Sequence, residues 1–159
     1  MLKEYPYLIE KDNKEGHVVI NVVYWSQTGN TEAIANAIGE GIAKAGKQAN
    51  VVEVSSALLD DLKAASAFAL GCPAMGAEVL EEGEFEPFVA QVEQFAQGKT
   101  IVLFGSYGWG DGEWMRDWET RMKNAGATII GDEGLICQDA PETDTLDKAQ
   151  QLGEALAAI

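Results

Sequence analysis

The stretch VVINVVYWSQTGNT at residues 18–31 decides the fold. Its first eight residues are apolar apart from Asn21, as expected of a parallel strand covered on both faces. The next six, SQTGNT, replace bulk with hydroxyls and a glycine. Ile34, Ala35, Ile38, Ile42 and Ala45 then recur at helical spacing until Gly46 offers a stop. A buried strand, a polar turn and an amphipathic helix, in that order, open a βαβ unit.

Outward from this unit the alternation continues. ANVVEV (49–54), AFALG (67–71), TIVLFGS (100–106) and ATIIG (127–131) read as four more strands. Phe85, Phe88, Val89, Val92 and Phe95 mark one helical face between them, and Trp114, Met115, Trp118, Met122 and Ala125 mark a second. Leu146, Ala149, Leu152 and Leu156 make the last helix. These aromatic and methionine stripes are core packing. The expected fold is α/β, a three-layer sandwich with a five-stranded parallel sheet and helices on both faces.

Ligands of open parallel sheets sit beyond the carboxyl ends of the strands, where the strand order reverses. Only the loops after strands one, three and four carry unusual chemistry: SQTGNT (26–31), PAMGAE (73–78) and SYGWGDG (106–112). In the order 2-1-3-4-5 those three strands are neighbours and their loops share one ligand. In the order 3-2-1-4-5 the third strand stands apart, so 2-1-3-4-5 is expected.

At 159 residues and 47% hydrophobic content, the chain suits one domain that buries roughly two-thirds of its unfolded surface. No uncharged apolar run approaches the ~18 residues needed to span a bilayer, and residues 1–17 do not resemble a signal peptide, so a cytoplasmic monomer is expected. Residues 1–17 have no place in the alternation and read as an N-terminal extension before an 18–159 domain. Codons for Lys14, Glu15 and Gly16 can resemble a ribosome-binding sequence just upstream of Val18 and Val19, so the extension is read as misassigned leader. His17, the single histidine, lies there and has no assigned role. Cys72 and Cys137 lack metal-ligand spacing and read as buried reduced thiols, with no metal site. Eleven basic residues against twenty-six acidic ones give a net charge of −15. That excludes nucleic acid and anionic membranes as partners and favours basic protein surfaces.

The first loop supplies hydroxyls at Ser26, Thr28 and Thr31 and a run of backbone N–H groups, with Gln27, Gly29 and Asn30 between them, where a helix begins. That is an anion nest. It holds no lysine or arginine and lacks the glycine spacing and GK[ST] ending of a P-loop, so a phosphate there is a handle and not a reactant. Met75 stands beside Gly76, and Trp109 stands between Gly108 and Gly110, where the missing side chains let a flat ring approach the backbone.

Through SQTGNTE, GCPAMGAEVLEEGEFEPF and LFGSYGWGDGEWMRDWETRM, residues 20–159 resemble the short-chain flavodoxins of clostridial type. The resemblance implies a non-covalent FMN held by Ser26, Gln27, Thr28, Gly29, Asn30, Thr31, Pro73, Ala74, Met75, Gly76, Ala77, Glu78, Ser106, Tyr107, Gly108, Trp109 and Gly110. Its phosphate would lie on 26–31 and its ring system between Met75 and Trp109, with Glu78 accepting the ring N3–H. The Gly76 carbonyl would turn toward ring N5 when the first electron arrives. Two positions depart from the family pattern. Ala77 stands where glycine, asparagine or aspartate is frequent; the turn 75–78 is expected to need φ > 0 at Gly76 or Ala77, and alanine resists that. Gln27 replaces a small residue but keeps its backbone N–H.

The function implied is a low-potential one-electron carrier, not an enzyme, that docks on redox enzymes through Glu78, Glu81, Glu82, Asp111 and Glu113. The alternative is an NAD(P)H-dependent FMN quinone or nitro reductase, although Trp109 would cover the ring face a nicotinamide needs. A phosphate-accepting receiver of similar topology would want an aspartate at the end of strand three, where Cys72 and Pro73 stand.

Overall fold

The computed structural model describes residues 19–159. His17, Val18 and the whole 1–17 extension lie outside the described residues. Strands β1 (Val19–Tyr24), β2 (Gln48–Glu53), β3 (Ala67–Gly71) and β4 (Thr100–Tyr107) and helices α1 (Asn30–Lys44), α3 (Phe85–Val92), α4 (Glu113–Asn124) and α5 (Thr143–Ala157) follow the expected alternation. A short α2 (Leu59–Ala64), which had no periodic signal, precedes β3.

The sheet is parallel and runs β2-β1-β3-β4-β5, with β5 at Thr128–Ile129, the expected order. The fifth lane differs from expectation. Instead of one strand over 127–131, β5 spans only Thr128–Ile129 and pairs with Thr100 and Ile101. The chain then turns through Gly131 and Gly134, and β6 (Leu135–Gln138) rejoins β4 further along, pairing Leu135 with Phe104 and Gln138 with Tyr107. The sheet therefore contains six strands in five lanes.

Alternate residues of the central strands serve opposite layers. Val23, Phe68, Leu70, Ile101 and Leu103 pack with Phe85, Phe88, Trp114, Trp118 and Met122 of α3 and α4. Val22, Ala69, Val102 and Phe104 pack with Ile34, Ile38, Ile42, Ala149 and Leu156 of α1 and α5. Asn21 interrupts the apolar run of β1 without leaving a polar group stranded, because Asn50 opposite it on β2 donates its amide N–H to Asn21 Oδ1 at 2.8 Å. On the second layer α1 and α5 meet backbone to backbone at Gly41 and Gly153. A Cβ on Gly41 would stand 2.9 Å from Gln150 Cα and closer still to its carbonyl; one on Gly153 would stand 2.9 Å from Ile42 N.

That contact predicts that Gly41→Ala costs about 1–3 kcal/mol of stability, the scale of overpacking a tight core. Urea unfolding checks it: the midpoint should fall at unchanged slope.

Candidate functional site

The parallel ladders continue past the ends of the strands and draw the three loops together. Trp25 N–H donates to Gly71 O (3.0 Å), Cys72 N–H to Phe104 O (3.1 Å) and Ala74 N–H to Ser106 O (3.0 Å). The hydroxyls of Thr31 and Ser106 hydrogen-bond at 3.2 Å across this junction, and both residues are buried. The first and fourth loops are thus tied directly, with the third between them.

In the first loop Ser26 Oγ turns inward and accepts from Gly29 N–H (3.2 Å) and Glu32 N–H (3.3 Å). Ala33 N–H is used by Gly29 O. Among the described residues, the N–H groups of Gln27, Thr28, Asn30 and Thr31 find no partner in the protein. Unpaired donors at the head of a 15-residue helix concentrate positive potential without any cation.

The third loop is a closed turn: Glu78 N–H donates to Met75 O (2.7 Å) and Met75 N–H to Val79 O (2.9 Å). The expected left-handed residue is displaced. Neither Gly76 nor Ala77 has φ > 0; Glu78 does, at 54°. The turn is therefore of a type that alanine adopts without strain, and the bend is taken one residue later. Glu78 Oε1 accepts Glu113 N–H (3.1 Å) at the start of α4. Its carboxylate lies where a side chain on Gly110 would be, 2.7 Å from that Cβ position, and Gly110 itself has φ 87°. Only glycine meets both conditions.

In the fourth loop Trp109 is 61% exposed, a large apolar surface flanked by glycines. Arg116 holds the loop from outside, donating to Asp111 O and Oδ1, both at 2.9 Å. Behind the third loop Cys72 is buried, its thiol pushed up to about 12 by burial, and its carbonyl accepts Trp114 Nε1–H (3.0 Å). Cys137 corrects the expectation of two buried thiols. It is half-buried on β6, and burial together with the charge of Asp139 pushes it up to about 11.

Ser26, Gln27, Thr28, Asn30, Thr31, Pro73, Ala74, Met75, Ser106, Tyr107 and Gly108 line one cavity of about 180 Å³. Trp109, Gly76, Ala77 and Gly110 are exposed and Glu78 is half-buried; none of them lines this cavity, and Gly76 and Ala77 line a neighbouring one with Met75. Sequence reasoning missed Asp139, which joins the lining of the first cavity from the end of β6. A larger cavity of about 530 Å³ opens at the opposite, amino ends of the strands, by Val19, Asn21, Lys47 and Asp61. The chemistry favours the smaller one, which has free N–H donors, hydroxyls and the position beyond the strand ends. An anion linked through a hydroxylated chain to a planar ring fits this donor set.

One carboxylate of the expected acidic rim has a structural role as well. Glu81 turns back and accepts the N–H groups of Gly83 (2.7 Å), Glu84 (2.8 Å) and Phe85 (2.9 Å). Partial burial works to raise its pKa, but those three donors outweigh it and hold the carboxyl below its ordinary value. A depressed pKa stabilises the fold fully above the unfolded carboxylate range and ceases to do so as pH falls through the folded value. Glu81→Gln should therefore cost about 1 kcal/mol at pH 7, the scale of a lost helix cap. Urea unfolding at pH 7 and in acid checks this: the gap from the unaltered protein should close on acidification.

The comparisons with known proteins agree with one another. The flavodoxin family model matches residues 22–152. Flavodoxin of Clostridium beijerinckii is 46% identical over 140 residues, covering 88% of this chain and 100% of the relative. Flavodoxin of Megasphaera elsdenii is 43% identical over 139 residues, covering 87% and 98%. The solution structure of two-electron reduced M. elsdenii flavodoxin matches with a TM-score of 0.80 at 42% identity, over 89% of this chain and 100% of that one. Nothing in them favours the reductase alternative. The chain belongs to the flavodoxin family, whose members are FMN-binding electron carriers and not enzymes.

Proposed function

We propose that the chain is a low-potential one-electron shuttle in which residues 26–31 receive the FMN phosphate and Met75 and Trp109 flank the ring system. Glu78 accepts the ring N3–H through the oxygen that Glu113 leaves free. The remaining lining, Pro73, Ala74, Ser106, Tyr107 and Gly108, encloses the chain between them. One observation carries this reading: the residues at the head of α1 whose N–H groups are unpaired line a cavity shared by all three loops. FMN, when bound, supplies the one-electron chemistry. The protein's part is to anchor, to exclude water and to set the cost of charge. Thr28 and Thr31 add hydroxyl donors to the nest, and the exposed Trp109 side chain becomes apolar cover for the ring. A net charge of −15 makes further negative charge in a dry pocket expensive, which lowers the potential for adding it.

The working unit is residues 18–159, monomeric and cytoplasmic, with residues 1–17 as an appended extension. No described helix is long and apolar enough to cross a membrane. The carrier role requires redox partners, and we propose that theirs are basic surfaces. Of the five rim carboxylates, Glu78 and Glu81 are engaged by backbone N–H groups and Asp111 by Arg116. Glu82 and Glu113 are exposed and carry no such contact among the described residues, while a carboxylate that accepts N–H groups, as Glu81 does, keeps its charge and still contributes to docking. Such complexes are weak, fast and sensitive to salt.

The apo-protein should bind FMN with quenching of flavin fluorescence, and more tightly than riboflavin; equal affinity for both would contradict the phosphate assignment. Turning the Gly76 carbonyl over within the turn requires φ > 0 at residue 77. Ala77→Gly should therefore favour the one-electron state by about 1 kcal/mol. A redox titration that separates the two one-electron potentials reads this out, and an unchanged separation would refute it. Stopped-flow electron transfer to a basic c-type cytochrome should slow as salt is raised, and slow further in a Glu82→Gln, Glu113→Gln double variant.

A further inference from the structure

We propose that Trp114 is a positioning residue for the one-electron chemistry: its indole N–H pins the base of the third loop, so that the turn carrying Gly76 is presented to the ring from a fixed support. The inference rests on the FMN reading above. By its spacing Trp114 belongs to the core stripe of α4, and it is buried like the rest of that stripe. Its Nε1–H makes a bond that core packing does not require, donating to Cys72 O at 3.0 Å inside the protein. The approach is open because residue 105 is glycine. A Cβ there would stand 3.1 Å from Trp114 Cζ2 and closer still to Cys72 O.

Cys72 follows directly on β3 and stands at the base of the third loop. Its own N–H is committed to Phe104 O (3.1 Å), and its thiol accepts Glu81 N–H (3.4 Å), so this one residue ties the two ends of the loop. Glu113, the neighbour of Trp114 in the chain, donates its backbone N–H to Glu78 Oε1 at 3.1 Å. Two consecutive residues at the head of α4 therefore hold the third loop at its base and at the end of its turn. Met75, Gly76 and Ala77 lie between those two points. The ring of Trp114 also packs on that of Tyr107, with centroids 5.6 Å apart, and Tyr107 lines the cavity. Trp114 thus supports two walls of the site while lying outside the lining itself.

Trp118, one turn further along α4, is the internal comparison. It is equally buried and packs edge-on against Phe85, with centroids 5.5 Å apart, but its Nε1 has no hydrogen-bond partner among the described residues. The two tryptophans share a helix and a degree of burial and differ in one bond. A bond from a buried donor to the base of a loop reduces the conformations the loop samples before it engages the ring. Such preorganisation favours the state that draws most on the loop. In the reading above that is the one-electron state, which the turned Gly76 carbonyl favours.

Trp114→Phe keeps an aromatic ring and removes the donor, and Trp118→Phe removes an unpaired N–H at matched burial. Redox titration of the FMN-loaded protein and amide exchange of the apo-protein compare them. Trp114→Phe should lower the formation constant of the one-electron state about fivefold, the factor that corresponds to one lost hydrogen bond. It should also speed exchange of the Met75 and Glu78 N–H groups of the apo-protein by a similar factor. Trp118→Phe should change neither, whatever it does to the unfolding midpoint. A measurement on the unaltered protein keeps the assignment testable if Trp114→Phe does not fold: exchange of the Trp114 indole N–H should slow on FMN binding by a larger factor than that of Trp118. An unchanged formation constant in Trp114→Phe, or equal shifts in the two variants, would reduce Trp114 to core packing. Equal slowing of the two indoles would do the same. If the unaltered protein bound no FMN, the FMN reading itself would fail, whereas the exchange rates of the apo-protein would still show whether Trp114 holds the loop.

Discussion

The site depends on the parallel pairing of β3 between β1 and β4. Three loops distant in sequence become neighbours because their strands are adjacent lanes of one sheet. The ladder carries on into the loops through Trp25, Cys72 and Ala74, so the cavity walls are held by backbone hydrogen bonds of 3.0 to 3.1 Å. The Thr31–Ser106 hydroxyl contact closes the junction across a gap of 75 residues in sequence. Gly110 then lets the carboxylate of Glu78 reach the head of α4, joining the third and fourth loops at the rim. Function here is a consequence of lane order.

Electrostatics divides the same region into two parts with opposite tasks. In the proposed reading the phosphate end relies on N–H dipoles and hydroxyls, with no lysine or arginine among the described lining residues, which suits permanent retention of an anion whose bonds never have to be exchanged. Arg116 is held by Asp111 and is not among the residues that line the cavity. The proposed ring end lies on a strongly acidic molecule of net charge −15, so added charge there is resisted. An anchor that tolerates charge and a ring pocket that penalises it are the two properties a low-potential carrier needs.

The fold was legible wherever a segment's burial is set by its own pattern. The apolar run at 18–25, the 3.6-residue stripes of α1, α3, α4 and α5, and the glycine-rich turns each announce their element locally, and the lane order followed from which loops carried chemistry. The fifth lane was not legible. ATIIG looked like one strand, yet only Thr128 and Ile129 pair. LICQ at 135–138 is too short and too exposed to show alternation, and its strand state exists only because β4 extends far enough to receive it. Asp139 was missed for that same reason, since its approach to the cavity is a product of non-local pairing. Glu81 carries a second role that was not legible. A carboxylate followed by Gly83 and a helix start can bend back onto the chain, and its three backbone bonds make it a cap as well as a surface charge. The turn 75–78 was expected to need φ > 0 at Gly76 or Ala77, but Glu78 takes the positive φ instead.

The central claim is that backbone N–H groups at the head of α1 hold the phosphate unaided by any cation. Amide proton and nitrogen shifts of isotopically labelled apo-protein, followed as FMN or riboflavin is added, address it directly. The N–H signals of Gln27, Thr28, Asn30 and Thr31 should move strongly downfield with FMN and little with riboflavin, while signals of the Met75 and Trp109 loops respond to both. If the 26–31 amides responded equally to the two flavins, or not at all, the phosphate would lie elsewhere and the account would be wrong.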